Sequence, residues 1–296
     1  MAYACICHLF LLILRSHFCD VMKIALIGYG KMGHMIEEVA LERGHEIVAR
    51  IEPNPDIVLR TATGSPIGQS PSPAKGREVY SPEEGFESEA FRRADVAIEF
   101  TTPLTAKDNI LRAWAQGVPV ISGSTGWNVA FGNRCAMVDT APLNRQATDA
   151  SALPKNWKFS GTPNKVVVRN EAGKVMLVWS SNFSVGVNIF FEVNKFLAEK
   201  MRNQPQYTPS ITEIHHIHKL DKPSGTAKTL AESIRDIGIP RYRDIEIESI
   251  REGEVPGTHE VKWDSEEDTI IITHIAKGRR GFALGAVLAA EQLNVK

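Results

Sequence analysis

Apolar residues recur along this chain with two different periods, and the period changes with position. Lys23–Ile27 is a short apolar run ending at Gly28, the pattern of a buried strand. From Lys31 to Arg43 the apolar side chains Met32, Met35, Ile36, Val39 and Ala40 fall at helical spacing, and Gly44 closes the stretch. Glu46–Ile51 reads as a strand again, completing a unit of strand, glycine turn, helix and strand. Asp95–Phe100 and Val118–Ser122 read as further strands flanking a helix over Thr105–Gln116, and Val175–Ser180 as the next strand. Strands alternating with helices predict a parallel sheet covered on both faces.

The second half has another rhythm. Val185–Met201 predicts a helix. Ile211–Ile217, Asp244–Arg251, Thr258–Trp263 and Thr269–Ala276 predict strands, with one helix at Ala227–Ile237 between the first two. Strands following one another without helices predict an antiparallel or mixed sheet. Phe282–Gln292 is a final helix. No internal repeat is present.

Two stretches lack periodicity. From Thr61 to Gly76, eleven of sixteen residues are Gly, Pro, Ser or Thr, the composition of a flexible surface segment. Insertions are therefore expected at about 56–94 and 128–173. Residues 1–21 also stand apart. Their apolar stretch precedes its first basic residue, Arg15, the reverse of a secretory signal, and Met22 begins what reads as the first domain. This extension is expected to lie outside the fold. The remaining boundaries are 22–182, 183–277, and a helix at 278–296 returning to the first domain.

Composition narrows the function. The 296 residues carry 34 Lys+Arg against 35 Asp+Glu, too balanced for a general nucleic-acid binder. No apolar run reaches the ~20 residues needed to span a membrane, and the cytoplasm is the expected compartment. Cys5, Cys7, Cys19 and Cys135 include no CxxC pair, which points to free thiols in a reducing compartment.

Gly28, Gly30 and Gly33 form G-x-G-x-x-G after a strand. Such a turn lets a pyrophosphate approach the backbone at a helix start. Alone it is equally a structural turn. Glu52, nineteen residues beyond Gly33 at the end of the next strand, is placed to accept hydrogen bonds from a ribose. A 2′-phosphate calls for arginine. Pro53 follows Glu52, and Thr101–Thr102 have no cation beside them, so NADH is expected to serve at least as well as NADPH.

The densest chemistry lies in Glu213–Ala227. His215 and Lys219, four residues apart, share a face in either a strand or a helix. Ser224, Gly225 and Thr226 follow Pro223 and open a helix, offering hydroxyls and N–H groups to a carboxylate. That trio could equally be an ordinary cap. His215, His216 and His218 could ligate a metal, with Asp221 joining them, but in a strand His216 and His218 face away from His215, and no distant Cys/His cluster completes a site. No metal is expected.

These residues resemble the dihydrodipicolinate reductase family of lysine and diaminopimelate biosynthesis. The resemblance rests on HHIHKLDKPSGTA at 215–227, with GYGKMG at 28–33, FTTP at 100–103, SGSTGW at 122–127, SNFSVGVN at 181–188 and REGEVPGTH at 251–259. It implies an α/β fold: a Rossmann-type parallel-sheet domain plus a mixed α/β domain that binds substrate and builds a homotetramer. It implies hydride delivery from NADH or NADPH to a cyclic imine dicarboxylate, with loss of water. By the same resemblance, His215 is the general acid/base and Lys219 the proton donor. His216, Ser224, Gly225, Thr226 and Thr125 would hold the substrate. Gly28, Tyr29, Gly30, Lys31, Met32, Gly33, Glu52 and Thr101 would hold the cofactor, and Gly123, Ser124, Thr125 and Ser180, Ser181, Asn182 and Phe183 would line its nicotinamide. Arg279 could add charge nearby. The two insertions exceed the family pattern, and the chain stops soon after GFALGAVLAAEQL, where family members continue. A different oxidoreductase acting on an amino or semialdehyde acid, and a silent nucleotide-binding homologue, are the alternatives.

Overall fold

The structure is a computed structural model and describes residues 20–53, 79–125, 127, 157–162 and 165–293. The first elements are β1 (Lys23–Ile27), α1 (Lys31–Glu42), β2 (Glu46–Ile51), the short helices α2 (Pro82–Gly85) and α3 (Glu89–Arg92), β3 (Val96–Glu99), α4 (Ala106–Ala115) and β4 (Val120–Ser122). Next come β5 (Lys158–Thr162), β6 (Lys165–Arg169), β7 (Val175–Ser180), α5 (Val185–Met201), β8 (Thr208–His215) and α6 (Gly225–Arg235). The chain continues through β9 (Glu246–Arg251), β10 (Thr258–Asp264), β11 (Thr269–Ile275) and α7 (Arg280–Leu293).

A seven-stranded sheet has the order β2-β1-β3-β4-β7-β6-β5. Its first five strands are parallel, and β6 and β5 add an antiparallel edge. Alternate residues of β1 enter opposite cores, as the two-residue period of a strand requires. Ala25 and Ile27 join Phe86, Phe91, Ile110 and Trp114. Ile24 and Leu26 join Ile36 and Val39 of α1 and Val287 of α7. Burial on both faces is why these strands read as unbroken apolar runs.

The second sheet has the order β11-β10-β8-β9, antiparallel except for the β8–β9 pair. In β8 every second residue is buried, including Ile211, Glu213 and His215. The face bearing Ile211 packs on α5 and α6 through Phe190, Phe191, Leu230 and Ile234, with Trp263 and Tyr242 fully enclosed.

Three sequence expectations change. The stretch after residue 78 is not a surface insertion. Tyr80 extends the edge of β2 through hydrogen bonds with Arg50 and Glu52, and Phe86 and Phe91 are wholly buried. Helices of four residues, capped by Ser81 and Ser88, are too short to show a period. Likewise β5 and β6 occupy the end of the second expected insertion, where Val166 and Val168 enter the core from one face. Finally, β8 stops at His215 instead of continuing to Ile217, because its partner β9 ends at Arg251 and the chain turns at Gly253 (φ 46°). Residues 1–19, the bulk of both expected insertions and all four cysteines lie outside the described residues.

The last helix returns to the first sheet. A Cβ on Gly285 would sit 1.7 Å from the Phe183 carbonyl oxygen, so the close approach of α7 to the start of α5 needs glycine. Glu291 then receives Arg43 at 2.5 and 2.8 Å and lies 2.9 Å from His45 Nε2. Burial raises the Glu291 pKa, but the bonds from His45 and Arg43 outweigh it and hold the carboxyl below its ordinary value. Its contribution to stability is therefore present above pH ~4.3, the ordinary glutamate value, and fades as the pH falls below it. Glu291→Gln is expected to cost about 1–3 kcal/mol at pH 7. Denaturant melts at pH 7 and pH 3 check this, and the difference from wild type should shrink at the lower pH.

Candidate active site

The glycine turn links β1 to α1. A Cβ on Gly28 would lie 2.2 Å from the Phe100 carbonyl oxygen, and one on Gly33 would lie 2.3 Å from the Gly28 carbonyl. The fold itself requires those two glycines. Around Gly30 no atom comes within 4 Å of such a Cβ, and no side chain caps α1. The middle glycine thus leaves open space at an uncapped helix start, which fits a dinucleotide pyrophosphate. Lys31 is exposed beside it.

Glu52 follows β2 and is nearly buried, and its Oε2 accepts the Tyr29 N–H at 2.8 Å. Tyr29 is placed differently from the expectation of a cofactor contact. Its ring is buried and its hydroxyl bonds Glu37, which also holds Arg50. Burial and the Glu37 carboxylate push the Tyr29 hydroxyl up to about 12. Thr101 donates its N–H to Ser124 Oγ at 2.8 Å and to Glu99 at 2.9 Å. Glu99, which sequence reasoning missed, is fully buried and also accepts Ser122 Oγ at 2.5 Å and Ser124 Oγ at 2.7 Å. It ties together the ends of β3 and β4. The Ser124 carbonyl accepts both Trp127 and Trp179 indole N–H groups.

In the second sheet, register assembles the other half of the site. Glu213 and His215 point to one face of β8, His259 of β10 pairs with Glu213, and Arg251 of β9 pairs with His215. Glu213 Oε2 lies 3.0 Å from His215 Nδ1, off the line of an ideal hydrogen bond. Its Oε1 accepts the Ser224 N–H at 3.0 Å and Arg251 Nη2 at 3.1 Å. Burial raises the Glu213 pKa, yet the adjacent His215 and the bonds from Ser224 prevail and hold it far below the usual carboxylate range. His259 is pushed down to about 3 by burial and by His215. Burial, then the Arg279 charge, lowers His216, and burial lowers His274.

Beyond β8 the chain folds back, with the Lys219 N–H bonded to the His216 carbonyl at 3.1 Å. Lys219 therefore reaches the site through a turn and not by strand or helix periodicity. Its Nζ lies 2.7 Å from Asp221 Oδ1. Ser224 caps α6 as expected, accepting the Ala227 N–H at 3.2 Å, and a Cβ on Gly225 would meet nothing within 4 Å. His218 turns outward to Glu254 at 3.1 Å.

A cavity of about 690 Å³ separates the two units. From one side it is lined by Met32, Gly123, Thr125 and Ser180 through Phe183. His215, His216, Lys219, Ser224, Gly225 and Thr226 line the other side, with Arg279 at the entry to α7. Asn182 Nδ2 reaches Thr226 Oγ1 across it at 3.4 Å. Gly28, Gly30, Glu52, Thr101 and Ser124 are outside this lining, at the ends of neighbouring strands. Glu213, His215 and His259 also present ligand atoms within 4.8 Å of one another. Of this carboxylate, Oε1 accepts Arg251 and Ser224, while Oε2 faces the two imidazoles.

An open glycine turn at the carboxyl ends of parallel strands, in a unit whose Gly123, Thr125 and Ser180–Phe183 face imidazole and ammonium groups across a cleft, defines an NAD(P)H-dependent oxidoreductase. A family model described as dihydrodipicolinate reductase, N-terminus, matches residues 22–136, and its C-terminus counterpart matches 186–296. A relative named 4-hydroxy-tetrahydrodipicolinate reductase from Christiangramia forsetii is 36% identical over 287 residues, 93% of each chain. A relative of the same name from Archaeoglobus fulgidus is 31% identical, over 91% of this chain and 93% of its own. The chain belongs to the dihydrodipicolinate reductase family. The dipicolinate-bound dihydrodipicolinate reductase from Paenisporosarcina sp. TG-14 shares the fold, with a TM-score of 0.58 at 18% identity over 92% of this chain and 94% of that one.

The glycines make separable predictions. Gly30→Ala should leave the melting temperature unchanged and raise the NADH Kd about tenfold or more, the 1.4 kcal/mol of a lost phosphate approach. Gly28→Ala should unfold the first domain. Fluorescence titration beside calorimetry distinguishes them.

Proposed function

We propose that this chain reduces 4-hydroxy-tetrahydrodipicolinate to tetrahydrodipicolinate with loss of water, in lysine and diaminopimelate biosynthesis. The observation that carries this reading is the shared cavity, in which the glycine-turn domain meets His215, Lys219 and the Ser224–Thr226 cap. When bound, NAD(P)H supplies the hydride. The chain's residues do the rest. The free N–H groups and dipole of α6 favour a carboxylate at Gly225 and Thr226. Lowered by burial, His216 serves there as a neutral hydrogen-bonding group, and Thr125 approaches from the opposite wall. Lys219 lies in the wall as the proton donor, with its Nζ 2.7 Å from Asp221 Oδ1. His215, backed by Glu213, is the general acid/base. Lys219 and Arg279 together offset the charge of a dianion.

Arg50 supports NADH as at least an equal reductant. This arginine precedes Glu52 by two positions but is buried against Glu37. A carboxylate, without that guanidinium, then faces the adenosine ribose, which suits hydroxyls better than a 2′-phosphate. Comparing kcat/KM for the two reductants checks this, and a large NADPH preference would refute it.

The reading includes a homotetramer. Ile271 and Ile275 of β11 are 52% and 65% exposed, and Phe196 of α5 is 59% exposed. Such apolar surface is suited to burial against further copies of the chain. Light scattering should find four subunits. Among the described residues no helix is long and apolar enough to cross a membrane.

The central test follows NADH oxidation with enzymatically generated substrate. Lys219→Ala is expected to lose ~10²-fold or more in kcat, the usual contribution of a general acid. Wild-type kcat in that variant would remove Lys219 as the proton source. Turnover of aspartate or a semialdehyde, with none of the cyclic imine, would replace the substrate assignment.

A further inference from the structure

The proposed reaction uses His215, Lys219 and the α6 cap, which lie on a strand end, a turn and a helix start. A single buried ion pair touches all three. Glu213 is wholly enclosed, and its two oxygens face different partners: Oε2 faces His215 Nδ1 at 3.0 Å, while Oε1 accepts the Ser224 N–H at 3.0 Å. Arg251 lies 3.1 Å from Oε1. The same guanidinium donates to the Lys219 carbonyl at 3.2 Å and to the Asp221 carbonyl at 2.6 Å. The loop carrying Lys219 is thereby fastened to the strand carrying His215.

We propose that Glu213 and Arg251 are positioning residues that set the His215 tautomer and the place of Lys219 as one unit. This rests on the reaction assigned above. An ionised carboxylate 3.0 Å from Nδ1 favours a proton there, which leaves Nε2 to exchange a proton with a ligand. Gly257 leaves space beside that atom, since a Cβ would lie 3.1 Å from Nε2. Removing the charge while keeping the shape exposes the design. Three donors (His215 Nδ1–H, Ser224 N–H and Arg251) face the two carboxylate oxygens, and a glutamine offers one oxygen and an NH₂. At least one donor then meets another donor.

Two variants separate the two limbs. In Glu213→Gln, ring ¹⁵N shifts of His215 in the protein alone should show loss of the Nδ1–H tautomer. With substrate, kcat should fall ~10²-fold while the NADH Kd stays at the wild-type value. In Arg251→Lys the charge beside Glu213 remains, but one ammonium cannot span both loop carbonyls. There kcat should fall about tenfold or more with the His215 tautomer preserved, a loss of at least 1.4 kcal/mol. An unchanged His215 ¹⁵N spectrum in Glu213→Gln, or kcat within threefold of wild type in either folded variant, overturns the proposal. The ring spectrum needs no substrate, so failure of the wild type to reduce the cyclic imine would overturn the reaction assignment separately.

Discussion

The pairing of β8 with β9 and β10 is the constraint on which the substrate side of this molecule depends. One register brings Glu213 opposite His259 and His215 opposite Arg251. A slip of one residue would send Glu213 and His215 to the other face of the sheet. The fully enclosed Trp263 on β10 and Ile211 on β8 make such a slip costly, since the same shift would expose them. The apolar core of the second unit therefore also fixes its polar site.

The cofactor side uses a related device at the ends of parallel strands. Glu99 collects hydrogen bonds from Thr101, Ser122 and Ser124, and Glu52 collects the Tyr29 N–H. Each carboxylate lies where strands end and backbone groups lose their ladder partners. These acids hold loops in place whose tips face the cleft. Irregular backbone is thus fixed without strands or helices of its own, as a rigid binding surface needs.

Much of this was legible in the sequence. The apolar periods located most of the described elements, and the glycine turn and the His–Lys segment lie where strands end, the latter lining the cleft. Failures had physical reasons. Lys219 shares the cavity with His215 through a turn, so the four-residue spacing gave a correct juxtaposition by an incorrect route. The short helices bearing Phe86 and Phe91 are below the length at which a period can be read, and the β5–β6 strands were lost among glycines and prolines. Glu213 offered a readable signal, an acid two positions before a histidine in a strand. Arg251 offered none, because its role depends on a neighbouring strand that only tertiary pairing supplies.

The close seating of Gly285 on the Phe183 carbonyl has a mechanical consequence. The chain leaves the first unit near Phe183 and re-enters it at Arg280, and that contact fastens the two crossings side by side. Adjacent crossings act like paired pins on a door. They confine any swing of one unit against the other to an axis through that spot, at the edge of the cleft that Ser180 to Phe183 line. Motion about such an axis would widen the gap between Thr125 and the α6 cap while barely disturbing the residues at the pivot.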